Sequence, residues 1–188
     1  MALELVTAPA AEPFSLADAK AWAMFDLTGQ DDVVTSLIKA ARIQAERATQ
    51  LTLITSTWRL WLDAWPDDDV IRLPNPPLQS ISSIKYVDLD GDLQTIDAAD
   101  YRVDVKSRPA RITPAYGLVW PIARDVINTI QVEYVAGFGS SGTSVPEDIL
   151  IAIKWLVSWW NEHRNAQDEI PQAFFRMLGE YWHGDLYS

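Results

Sequence analysis

The sequence predicts an α+β protein: a small helical bundle of two N-terminal and two C-terminal helices, with an antiparallel β domain inserted between the second and third. Two observations predict it. Apolar residues recur at helical spacing before about residue 52 and again after about residue 144. Between them the period changes to two, with β-branched and aromatic residues enriched and Gly, Pro and Asp marking the turns. These limits define an extended arm at 1–14, a helical domain from 15–52 and 144–188, and an inserted β domain at 53–143.

Pro9 and Pro13 among alanines give the arm its extended character. Ser15-Leu16-Ala17-Asp18 is a helix start, a hydroxyl cap with an acid three residues on. That helix is expected to reach about Leu27 and to stop at Gly29. Asp31 or Asp32 caps a longer second helix. Its Val34, Leu37, Ile38, Ala41, Ala45 and Ala48 form an apolar seam, with Lys39, Arg42 and Glu46 expected on the wet side. Alanines on that seam allow another helix to approach closely.

Strands follow at Thr57–Leu62, Val70–Leu73, about Ile81–Tyr86, Leu93–Ile96, Tyr101–Val105, Arg111–Thr113 and Ile130–Tyr134. Asp90-Gly91 between two of them is a hairpin turn. Gly137 to Gly142 reads as a flexible loop leaving the β domain. Pro146 opens a third helix with Ser144 upstream as its cap, and Ile149, Ile153, Leu156, Val157 and Trp160 line its apolar stripe. After a polar break at 165–169, Phe174, Phe175, Leu178, Tyr181 and Trp182 mark a short closing helix.

The charge balance narrows the function classes. Acids outnumber bases 26 to 15, a formal net charge of −11. Gripping nucleic acid requires Lys and Arg to displace counterions from phosphates, so direct DNA binding is not expected; an acidic surface suits a passage through which DNA slides. With no cysteine, disulfides and thiolate metal sites are excluded. No apolar run approaches the ~20 residues of a membrane helix, and residues 1–13 lack a signal-peptide pattern, so a soluble product made in the cytoplasm is expected.

No constellation for catalysis stands out, and no cofactor or metal is expected. His163 and His183 lie near helix C-termini, where a cationic ring is favoured by the dipole. Asp88, Asp90 and Asp92 surround a glycine but lack the glycine and acid spacing of a calcium loop. The 137–142 glycines come without a P-loop lysine, and Glu147 at the next helix start repels phosphate. What the chain has in surplus is tryptophan, nine of them, a residue suited to cores and interfaces. Consecutive Trp159 and Trp160 point about 100° apart on a helix, so one of the pair is expected to face a partner.

The succession Ser15–Lys20, Asp31-Asp32, Ala40-Ala41-Arg42, Thr57–Leu60, Ile71–Leu78, Ile84–Asp88, Asp100–Val103, Val132–Gly139 and Val145–Ile149 resembles the head–tail connector (adaptor) family of long-tailed phages, prophages and gene transfer agents. The resemblance spans roughly residues 15–164. It implies a non-enzymatic virion protein made in the bacterial host. Twelve copies would form a ring under the portal, meeting a tail-side neck or stopper protein, with DNA passing through unbound. In such rings helices pack between subunits and C-terminal segments engage the portal. On that basis Trp159, Trp160, Phe174, Phe175, Tyr181 and Trp182 are expected at partner interfaces. Another neck or tail-completion protein is the nearest alternative. A carbohydrate-binding β module, suggested by Trp58, Trp61, Trp65 and Trp120, is the more distant one; it requires exposed coplanar rings.

Overall fold

A computed structural model of the chain describes residues 1–23, 31–163 and 170–181. The chain is α+β and divides into two compact units. One comprises residues 1–8 and 55–137 and the other residues 9–54 and 138 onward.

The first unit is entirely antiparallel. Its strands are β1 (Ala2–Thr7), β2 (Ser56–Leu62), β3 (Ile71–Leu73), β4 (Leu78–Val87), β5 (Leu93–Thr95), β6 (Tyr101–Asp104), β7 (Ala110–Pro114) and β8 (Ile130–Ala136). They form a five-stranded sheet in the order β1-β2-β8-β4-β5 and a three-stranded sheet in the order β3-β7-β6. Strand β8 lies at the centre of the larger sheet and turns one face wholly inward: Ile130, Val132, Tyr134 and Ala136 are all fully buried. They meet Leu60, Ile71, Leu73, Ile84, Ala110 and Ile112 in one core fed by both sheets. The Tyr134 hydroxyl, buried with its ring, donates to the Pro74 carbonyl at 2.8 Å. The predicted Asp90-Gly91 turn closes β4 onto β5, with Gly91 at φ 98°, a conformation that favours glycine.

Residues 2–7 lie outside the strand expectations, which leave them in the extended arm. They run along β2, Leu3 opposite Leu60 and Leu5 opposite Trp58, and become the first strand of the sheet. The hydroxyl of Thr129, just before β8, is 1% exposed and without a hydrogen-bond partner. Burying an unpaired hydroxyl is unfavourable, so Thr129→Val is expected to stabilise this unit by about 1 kcal/mol, read as a higher urea midpoint.

The second unit is helical, with α1 (Leu16–Ala23), α2 (Asp31–Thr49), α3 (Glu147–Glu162) and α4 (Gln172–Met177), the last followed by a 3-10 turn at Gly179–Tyr181. The capping box forms as predicted. Asp18 N–H donates to the Ser15 hydroxyl at 3.1 Å, and Ser15 N–H donates back to the Asp18 carboxylate at 3.1 Å. The expected extension of α1 to Leu27 and its stop at Gly29 lie outside the described residues. Val34, Leu37, Ile38, Ala41 and Ala45 of α2 pack on Ile149, Ala152, Ile153, Leu156, Val157 and Trp160 of α3. The alanine seam thus seats a helix of this same chain.

Two expectations change here. Leu53 and Ile54 are buried in the helical core, so the β unit begins after them, at residue 55, and its strand ladder at Ser56. Ser144 does not cap α3; it lies in a 3-10 turn at Gly142–Ser144, and Pro146 occupies the cap position with its carbonyl accepting from Leu150 N–H. Within the 137–142 loop, Gly137 and Gly142 are buried while Ser140 and Ser141 are exposed. A Cβ added at Gly142 would overlap the Pro13 carbonyl, so glycine is there for close approach of two backbones. Among the described residues no helix is long and apolar enough to cross a membrane.

Arg42 and Glu46, expected on the wet side of α2, are also turned inward. Arg42 is 5% exposed, with Nε 2.7 Å from Glu12 and Nη1 2.6 Å from Glu46. Glu46 also accepts the Leu53 N–H at 3.0 Å. The triad ties the segment ahead of α1 and the segment after α2 onto one helix.

Candidate interaction surfaces

Helical phase sorts the candidate aromatics of the second unit. Trp160 falls on the stripe of Ile149, Ile153 and Leu156 and is 4% exposed; Phe174 is fully buried between α4 and the bundle. Both are taken up by the core of their own unit and have no surface to give a partner. Trp159, one step round the helix, is half-buried and stacks on His163 with ring centroids 4.6 Å apart. The Tyr181 hydroxyl donates to Asp148 at 2.9 Å and ties the last turn to the start of α3. Phe175 is turned out at 46% exposure beside Met177, and it lines an open depression with Ile170, Gln172 and Arg176. Trp182 and His183 lie outside the described residues.

In the β unit the tryptophans do not make a sugar-binding platform. Trp65 and Trp120 stack on each other, centroids 4.7 Å apart and planes 7° from parallel. Each ring spends its N–H on a carbonyl, Trp65 on Pro121 and Trp120 on Asp69. Trp58 packs against the core, and Trp61 lies under the Arg59 guanidinium with its N–H donated to Glu4. The acidic hairpin likewise uses its own carboxylate: Asp88 Oδ1 accepts from the N–H groups of Asp90, Gly91 and Asp92, while Gln94 donates to Oδ2. These hydrogen bonds, the Gln94 amide foremost, hold the Asp88 pKa below the ordinary carboxylate value. The carboxylate that a calcium loop would need is engaged in shaping the turn. Among the described residues no group of three or more His, Asp and Glu is placed to hold a metal ion.

The residues most available to a partner were not singled out by the sequence. They lie on the connector between β7 and β8, residues 115–129. Tyr116 is 97% exposed, Val119 81%, Ile122 74% and Ile127 82%, with Leu118 and Val126 nearly half exposed. The connector is nonetheless held in place. Ala115 N–H donates to Asp100, Leu118 N–H to Ala115, Arg124 N–H to Val87 and Asn128 N–H to the Asp63 carboxylate, while Trp120 is sunk in the core as an anchor. Its signal in the sequence is negative: Tyr116-Gly117-Leu118-Val119-Trp120-Pro121-Ile122 is apolar yet follows neither a helical nor a strand period.

A second apolar surface is β1. Every one of its residues is exposed, Leu3, Leu5 and Val6 included, and it ends the five-stranded sheet. Six residues long, it contains neither lysine nor proline; Glu4 and a shift of register between Leu5 and Thr7 are its edge irregularities.

No known family model matches the chain, and no curated protein sequence matches it. Solved structures do. A chain in the virion of a native gene transfer agent particle superposes with a TM-score of 0.81 at 24% identity, over 97% of this chain and 95% of that one. A chain in the neck of an empty gene transfer agent particle, determined with C6 symmetry, gives the same values. One in the neck of the native particle, determined with C12 symmetry, gives 0.78 at 25% identity over the same shares. These likenesses establish the fold: both units, in this order, recur in chains of those particles.

Proposed function

We propose that this chain is a structural subunit of the neck of a phage-like particle, a head–tail connector of which twelve copies form one ring between portal and tail. The reading rests on one observation, the end-to-end structural likeness to chains solved in gene transfer agent necks at C12 and C6 symmetry. The molecule's own surfaces support it. Rigidly held apolar side chains on the 115–129 connector and the bare β1 edge suit adhesion to proteins. A net charge of −11 suits a conduit that DNA crosses without binding. Portal docking by the C-terminal segment, with Phe175 as an exposed anchor and Trp159 as a second half-buried aromatic on α3, belongs to the same proposal.

Deleting the gene in the producing bacterium tests the reading. Filled heads and separate tails should accumulate, and complementation should restore joined particles. Joined, transfer-competent particles in the deletion strain would overturn it. Pull-down against portal and tail-tube proteins then separates a connector from a tail-completion protein: the connector retains the portal, and truncation after Arg164 reduces that retention.

A further inference from the structure

We infer that copies of this chain join head to tail through the β unit, the 115–127 connector of one copy packing on the β1 edge of the next; this rests on the ring reading above. A closed ring requires two different, mutually complementary patches on opposite flanks of each subunit. The five-stranded sheet supplies such flanks, because β1 and β5 stand at its two ends, four strand spacings or about 19 Å apart. The Leu118–Val119 part of the connector lies toward the β5 end, while Trp120, Pro121 and Asn128 bond back to the loop that follows β2. Arg124 N–H bonds to Val87 at the end of β4, and Leu118 and Val119 line a depression with Tyr86, Thr95 and Ile96.

Apolar exposure and charge both fit a copy of this chain as the occupant. The connector exposes Tyr116, Val119, Ile122 and Ile127, and β1 exposes Leu3, Leu5 and Val6. Two molecules of net charge −11 repel wherever their acids meet. These patches avoid that: residues 115–127 carry one base and one acid, Arg124 and Asp125, and β1 carries Glu4 alone. Depletion of charge at the centre with apolar and aromatic groups exposed is the composition of an interface core. The connector is also fixed before contact, so little ordering entropy opposes docking.

The absence of native cysteine makes the test direct. Particles are assembled with Leu5→Cys, Val119→Cys or both, then treated with a short bis-maleimide and blotted for this chain. Both positions are exposed, so the substitutions leave the core intact. The double variant should give a ladder of covalent multimers and each single variant only monomer. Particles that contain the double variant but give no ladder overturn the inference and leave the ring reading standing. Dimers from Val119→Cys alone mean like meets like, which also overturns it. If the chain is missing from particles, the ring reading fails and this inference with it.

Discussion

Replacing Arg42 with leucine is expected to destabilise the helical unit by about 4 kcal/mol, the magnitude found when one member of a buried ion pair is removed. The loss comes from what is left behind. Glu12 and Glu46 converge on one guanidinium that is 6% exposed at its side chain, and without it two carboxylates face each other partly out of water. Glu12→Gln should cost much less, since its side chain is more open to water and Arg42 keeps Glu46. Glu46→Gln falls between, because the amide oxygen still accepts the Leu53 N–H. Amide hydrogen exchange in α2 and α3 reads all three; Arg42→Leu exchanging at the wild-type rate would refute the account.

The same triad sets a pH dependence of unusual sign. Burial raises the Glu46 pKa above 4.5, against the opposing pull of Arg42 and the Leu53 N–H. The folded state therefore holds that proton more tightly than the unfolded chain, so this group's contribution to stability falls as pH rises from 4.5 through the folded value. Removing the guanidinium leaves burial less opposed and widens the window upward. The Arg42→Leu variant should accordingly recover part of its loss as pH is lowered from 7 toward 5, while the wild type recovers less. A stability deficit independent of pH over that range would show that Glu46 is not the group responsible.

The inward position of Arg42 shows where sequence patterning stops. Position 42 lies four residues after Ile38 and one after Ala41, within the buried sector of α2, and charge alone argued it outward. Its main partner, Glu12, is 30 residues away, and no local pattern announces that pairing. Local rules did well where the cause was local. The Ser15–Asp18 box, the Asp90-Gly91 turn and the alternation of Ile130, Val132 and Tyr134 all formed as read. They did poorly where the cause was a distant chain. Strand β1 exists because β2 accepts it, and Gly142 is glycine because Pro13 passes over it. The surface was hardest. An aromatic at helical spacing, such as Phe174 or Trp160, looks alike whether it faces a core or a partner, and the 115–129 connector has no period to recognise.

That connector depends on Trp120, and Trp120→Ala should cost about 4 kcal/mol, within the usual range for truncating a buried tryptophan. The ring is 7% exposed, stacks face to face on Trp65, and holds Asp69 by its N–H at 3.1 Å. Alanine forfeits the stack and leaves a cavity at the base of the exposed segment. Trp120→Phe keeps most of the apolar contact and loses the hydrogen bond, a cost of about 1–2 kcal/mol. The functional consequence separates anchor from display. Ile122→Ser, at a site 74% exposed, should leave the urea midpoint within experimental scatter yet impair assembly into particles. Trp120→Ala should impair both, because a connector no longer fixed in advance must be ordered at the moment of docking. If Ile122→Ser assembles normally while Trp120→Ala does not, the connector matters for folding alone. If both fail to assemble and only Trp120→Ala is unstable, the apolar side chains are what the neighbouring molecule reads, and the tryptophan is what holds them out to be read.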